Sequence, residues 1–92
     1  MHILITYDIV CDKRRKKIDK LLSEYGVRVN YSVFELRVDK GGYARLLEKL
    51  PALMQKRDSV RIYRFSRDTI AKSIELNPGL SHPFSMEESY VL

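Results

Sequence analysis

The chain has 92 residues, 45% apolar and 32% charged, which leaves room for one domain and argues against disorder. Its net charge of +5 suits an anionic partner: nucleic acid, acidic lipid or an acidic protein. The single cysteine, Cys11, cannot form an internal disulfide, which fits a reducing cytosol, and no stretch approaches the roughly 20 apolar residues of a membrane span.

The N-terminus opens on a strand-like run without the charged-then-apolar layout of a signal peptide, so a cytoplasmic location is expected. Residues Ile3–Ile9 read as that strand, rich in β-branched side chains and free of Gly and Pro. Ile3, Ile5, Tyr7 and Ile9 share one face, the better core face; Leu4, Thr6 and Asp8 share the other. Asp12 is a candidate N-cap for a helix whose apolar stripe is Ile18, Leu21, Leu22 and Tyr25, with Gly26 at the C′ position. Arg14 and Arg15 fall on the stripe's side of this helix, while Lys13, Lys16, Lys17 and Lys20 spread round the rest.

Residues 28–38, "RVNYSVFELRV", are strand-like, but their alternation slips by one residue at Val33–Phe34. A slip of that kind implies a bulge or the corner between two short strands. Asp39 to Gly42 reads as a loop. Tyr43, Leu46, Leu47, Leu50, Leu53 and Met54 mark a second amphipathic helix, with Pro51 as a kink or a new start. Ser59–Phe65 is a further strand. The order gives an α/β (α+β sandwich) class, most economically the ferredoxin-like βαββαβ arrangement, with a core domain at residues 1–65. One face of its sheet has no helix to cover it. Residues 66–92 form a C-terminal extension with a strand candidate, "TIAKSIEL", a turn at Asn77-Pro78-Gly79 and a closing "SYVL". That extension is expected to pair as an edge strand, with this sheet or with that of a partner protomer. A chain this short buries only about two-thirds of its unfolded surface, so a homodimer with facing sheets is a natural supplement.

Asp8 is the sharpest candidate for chemistry. A carboxylate at the lip of a core strand is commonly a cap or an ion-pair partner; the functional alternative is a hard oxygen ligand for Mg²⁺ or Mn²⁺ among bases that hold phosphate. One carboxylate makes a poor metal site, but a twofold dimer through the uncovered face would supply a second Asp8. Arg14, Arg15 and Arg28 could clamp phosphate through the guanidinium fork or lie in surface ion pairs. Tyr7, Tyr31 and Phe34 could stack on bases. Core packing is the preferred reading for each, Phe34 being the best exception because it sits at the phase slip. His2, His82 and Cys11 lack zinc-ligand spacing, Ser32 has no nearby base, and Gly41-Gly42 lacks the context of a phosphate loop.

"YDI" at 7–9, a basic first helix ending "YG" at 25–26, "RVNYSVFE" at 28–35 and "DSVRIYRF" at 58–65 resemble, in order and spacing, the CRISPR-associated protein 2 family. The likeness covers residues 1–65; the acidic "MEESYVL" ending is similar only loosely. It implies a ferredoxin-like fold, a symmetric homodimer with facing sheets, and a C-terminal strand that often crosses to the partner. It further implies a Mg²⁺-dependent endonuclease acting on single-stranded RNA or double-stranded DNA, and a bridging subunit for the CRISPR-associated integrase that captures spacers. The implied metal-binding and catalytic residue is Asp8. The residues linked to activity carry over as Tyr7, Arg15, Arg28 and Phe34. Lys17 stands where the family has an arginine, keeping the charge without the planar fork. Asn30 stands where glutamine is commoner. Alternatives of other classes are a non-catalytic DNA-binding adaptor with Asp8 idle and a toxin-like messenger-RNA nuclease of the virulence-associated protein D type. An RNA-binding module of the same topology is less apt, because "VNYSVFE" lacks the glycines of its aromatic signature.

Overall fold

Alternation in the first strand sets the architecture, because the side chains that it turns inward must meet apolar helix faces. The computed structural model describes residues 1–76 and contains β1 (His2–Asp8), α1 (Asp12–Ser23), β2 (Gly26–Asn30) and β3 (Val33–Arg37). They are followed by α2 (Lys40–Leu53), β4 (Ser59–Phe65) and α3 (Arg67–Lys72). The strands form one antiparallel sheet in the order β2-β3-β1-β4, which is the expected ferredoxin-like βαββαβ topology with a short third helix appended. Ile3, Ile5 and Tyr7 of β1 and Phe34 and Leu36 of β3 meet Ile18, Leu21 and Leu22 of α1 and Leu46 and Leu50 of α2 in one buried cluster. Both long helices therefore cover the same face. Leu4, Thr6 and Asp8 point the other way, beside Glu35 and Val33 of β3 and Tyr63, Arg61 and Ser59 of β4.

Several local features differ from the sequence reading. The phase slip at Val33–Phe34 is the corner of a hairpin, with Tyr31 and Ser32 in the turn, and the β2–β3 register also shifts between Arg28 and Asn30. The N-cap of α1 is Cys11, which makes no side-chain cap hydrogen bond; Asp12 lies in the first turn and pairs with Arg15 instead. Gly26 is the first residue of β2 rather than a helix terminator. Its small size is needed there, since a Cβ would sit 2.2 Å from the Glu35 carbonyl oxygen.

The expected loop at Asp39–Gly42 is the start of α2. The Asp39 side chain accepts from the Gly42 amide at 2.7 Å, and that cap outweighs the poor helix propensity of the two glycines. Pro51 lies in the last turn of α2, which ends two residues later. "TIAKSIEL" is not a strand: Arg67–Lys72 is helical, capped by Ser66 Oγ on the Thr69 amide and fastened by buried Ile70. Capping at Ser66 and the Asp68–Lys72 pair at i,i+4 win over the β-branched residues. The turn at Asn77-Pro78-Gly79, the "SYVL" ending and the edge-strand pairing expected of the extension lie outside the described residues. No helix among the described residues is long and apolar enough to cross a membrane.

Candidate functional site

The C-terminal end of β1 is where chemistry-bearing side chains gather. Strand alternation divides them at once. Tyr7 turns into the covered core, 6% exposed, and Asp8, its neighbour in sequence, is exposed on the face opposite the two long helices, paired across the strands with Ser59.

The chain leaving Asp8 is held at every residue. Arg15 Nη2 donates to the Ile9 carbonyl at 2.9 Å, and the Val10 amide donates to Asp58 Oδ1 at 3.0 Å. Arg14 grips the same Asp58 with two bonds, Nε to Oδ2 at 2.7 Å and Nη2 to Oδ1 at 3.1 Å, and the Gln55 amide adds another at 2.9 Å. The Asp58 side chain is fully enclosed, and its hydrogen bonds from Arg14 hold the carboxyl far below the usual carboxylate range. Arg15 pairs through Nη1 with Asp12 at 2.5 Å. Arg14 and Arg15 therefore spend their forks inside the chain, fixing the turn that follows Asp8.

A second network lies on the covered side. The Tyr7 hydroxyl donates to Asp19 Oδ1, and Asp19 Oδ2 pairs with Arg28 Nη2 at 2.9 Å. Arg28 lies over the Phe34 ring at 5.2 Å and donates through Nη1 to the Tyr31 carbonyl at 2.6 Å. The Tyr7 and Phe34 rings stack with centroids 6.3 Å apart. Burial first, and then the Asp19 hydrogen bond and charge, push the Tyr7 phenol well above its ordinary value. Tyr7, Arg28 and Phe34, expected at the site, are thus brought together, but on the opposite face of the sheet from Asp8. Phe34 is 1% exposed. Both rings pack in the core, which is the reading preferred for each from the sequence. Asp19, which joins them, escaped the sequence reading; its one signal was that it is the sole acid between Lys13 and Lys20.

What remains open to a ligand is a shorter roll. Lys13, Lys16, Lys17 and Lys20 are exposed on one outward stripe of α1, at i, i+3, i+4 and i+7, and make no ion pair among the described residues. Tyr31 stands out from the β2–β3 turn. Asp8 has no ion-pair partner among the described residues, whereas Asp12, Asp19, Asp39, Asp58 and Asp68 are all engaged.

No group of three or more His, Cys, Asp and Glu able to hold a metal occurs among the described residues. Mg²⁺, however, is commonly held by one or two carboxylates, the remaining positions going to water and phosphate oxygens. An exposed Asp8 without an ion pair among the described residues fits that manner of binding as one such carboxylate.

The family model for CRISPR associated protein Cas2 matches residues 1–73. The chain belongs to the Cas2 family. A CRISPR-associated endoribonuclease Cas2 of Synechocystis is 42% identical over 82 residues, covering 87% of this chain and 89% of the relative. One from Chloroflexus aurantiacus is 38% identical, with both chains covered completely. Among solved structures, Cas2 of Streptococcus pyogenes aligns with a TM-score of 0.71 at 29% identity, covering 83% of this chain and 99% of that one. A chain of a partial Cas6-RT-Cas1–Cas2 complex aligns with a TM-score of 0.67 at 35% identity, covering 83% and 90%. The Cas2 likeness reaches through β4 and α3 and so includes every residue of the two networks and Asp8.

Proposed function

We propose that the protein is a metal-dependent endonuclease of the CRISPR spacer-acquisition machinery, cleaving phosphodiester bonds of RNA, with double-stranded DNA as the other candidate substrate. The observation that carries this reading is Asp8: it is exposed on the sheet face opposite the two long helices and, among the described residues, it is the aspartate without an ion pair or a cap. Two copies packed through that face would bring two Asp8 carboxylates together. The likeness to CRISPR-associated endoribonucleases supports RNA as substrate.

A bound Mg²⁺ would supply a water activated for attack and positive charge against the phosphate. The chain's own residues do the rest. Asp8 offers a hard oxygen that makes no ion pair among the described residues. Asp58, Arg14 and Arg15 fix the backbone that carries it, so the carboxylate is presented without reorganisation. Lys17, with Lys13, Lys16 and Lys20, attracts and orients the phosphate backbone. Arg28 holds the β2–β3 turn. A second reading, a DNA-binding adaptor for the integrase with Asp8 idle, is favoured by the likeness to a chain of the Cas1–Cas2 complex.

The deciding experiment incubates the purified protein with labelled single-stranded RNA and duplex DNA, with Mg²⁺ or a chelator, beside Asp8→Asn. Asparagine keeps the shape of the side chain and loses the charge that a hard cation needs. Hydrolysis should vanish in Asp8→Asn and with the chelator, while nucleic-acid affinity stays within about twofold. Without metal the two carboxylates would repel, so Asp8→Asn should melt at the same temperature or higher, and Mg²⁺ should stabilise only the wild type. Unchanged hydrolysis in the variant would sink the Asp8 metal site; intact DNA binding without any hydrolysis in the wild type would sink the nuclease reading and favour the adaptor.

A further inference from the structure

Tyr31 is 80% exposed, where the sequence favoured core packing. Of the exposed large apolar side chains among the described residues, only Tyr31 and Tyr63 are aromatic, and Tyr63 is 44% exposed in the middle of a strand. Tyr31 instead stands in the two-residue turn between β2 and β3. An exposed ring on a loose turn would mean little, because ordering it would oppose binding. This turn is not loose. The Tyr31 amide donates to Asn30 Oδ1 at 2.7 Å, and its carbonyl accepts from Arg28 Nη1 at 2.6 Å. The neighbouring Ser32 carbonyl accepts from the Tyr7 amide at 3.1 Å. Arg28 is itself fixed by Asp19 and by the Phe34 ring.

The turn also lies at the end of the sheet that carries Asp8. Thr6 pairs with Val33, and the next step along β1 reaches Ser32 and then Asp8. The Tyr31 phenol is within electrostatic reach of Arg15 and Arg28. An exposed aromatic face on a backbone held by hydrogen bonds is the arrangement that takes an unpaired base, while the exposed lysines of α1 supply the charge that the phosphates follow.

We propose that Tyr31 is a base-stacking residue that receives one unpaired nucleobase of a bound single strand. The proposal rests on the nucleic-acid-binding part of the function given above, not on the metal chemistry. Every base presents a π face, so Tyr31 would confer a preference for unpaired strand over duplex and little for sequence. In duplex the bases are already stacked and the ring has nothing to take.

The test uses the full-length protein with single-stranded RNA containing 2-aminopurine, the same strand unlabelled, and a duplex DNA of equal length. Wild type, Tyr31→Phe, Tyr31→Leu and Tyr31→Ala are compared by fluorescence, anisotropy, melting and sedimentation. Wild type and Tyr31→Phe should quench 2-aminopurine at one position of the strand. Tyr31→Leu and Tyr31→Ala should lose that quenching and bind the strand roughly 5- to 150-fold more weakly. Duplex affinity, salt slope and melting temperature should not move in any variant. Equal strand affinity and quenching in wild type and Tyr31→Ala would overturn the proposal and leave the nuclease reading untouched. A wild type that binds no nucleic acid would overturn both. A dimer that falls apart only in Tyr31→Ala would also overturn it, by showing that the ring is covered by a second copy of the chain.

Discussion

Tyr7 and Asp8, neighbours on β1, meet opposite fates on the two faces of the sheet. On the face covered by the two long helices the polar groups around Tyr7 are tied down: Tyr7 to Asp19, Asp19 to Arg28, and Arg28 to Phe34 and to the turn. On the other face Asp8 is exposed, without an ion pair among the described residues. Burial explains the contrast, since an unpaired polar group inside costs far more than one in water. The lesson is that a residue's place in a motif does not fix its role. Tyr7 and Asp8 are adjacent in "YDI", yet one belongs to the scaffold and the other to the surface that can bind a ligand.

The strongest way to break this division is Phe34→Ala. If Phe34 is scaffold, its loss should cost about 3–5 kcal/mol. In a domain of this size each kcal/mol lowers the melting temperature by about 4–8 °C, so the effect should be plain in thermal melting. If the ring were instead a contact for nucleic acid, melting would stay put and only binding would weaken.

Acid and alkali probe the two networks separately. The Asp58 carboxyl is held below its unfolded value of about 3.9 by Arg14 and by the Val10 and Gln55 amides. Its contribution is therefore complete above that pH and is lost as pH falls toward the folded value. The Tyr7 phenol is held above its unfolded value of about 10, so its contribution is complete below that pH and is lost as pH rises further. Asp58→Asn should flatten the acid limb of the stability curve and leave the alkaline limb alone; Tyr7→Phe should do the reverse. Chemical denaturation at stepped pH reads both. A variant that flattened both limbs would mean that the two networks are one.

The topology was legible in the sequence because β1, α1, α2 and β4 each carry a clean period, and those four leave little choice of arrangement. The errors fell where short polar contacts decide the matter. Asp39 starting α2, Ser66 starting α3 and Cys11 preceding α1 depend on single side-chain or backbone bonds that periodicity does not register. Asp8 was visible because alternation puts it off the core face. Asp58 and Asp19 were not, because each pairs with an arginine far away in sequence or in a different element, which only folding reveals. Tyr31 is exposed against expectation because an aromatic in a β-rich run is ordinarily buried, and the hairpin corner that exposes it leaves only a one-residue slip as its trace.

The smallest effect sharpens the comparison most finely, on the positive charges of α1 and β2. Lys17 is exposed and unpaired among the described residues, so its replacement by alanine should leave stability within about 0.5 kcal/mol. If it meets a phosphate, the slope of log affinity against log salt should shrink by about 0.9 per contact on duplex DNA and about 0.7 on a single strand. Arg28→Ala should behave in the opposite manner. Its guanidinium already serves Asp19, the Tyr31 carbonyl and the Phe34 ring, so its loss should lower the melting temperature and leave the salt slope unchanged. Measuring both quantities on both variants separates charge that is mortgaged to the fold from charge that is free. Should Arg28→Ala flatten the slope by a full contact, the arginine reaches phosphate as well, and the covered face would no longer be scaffold alone.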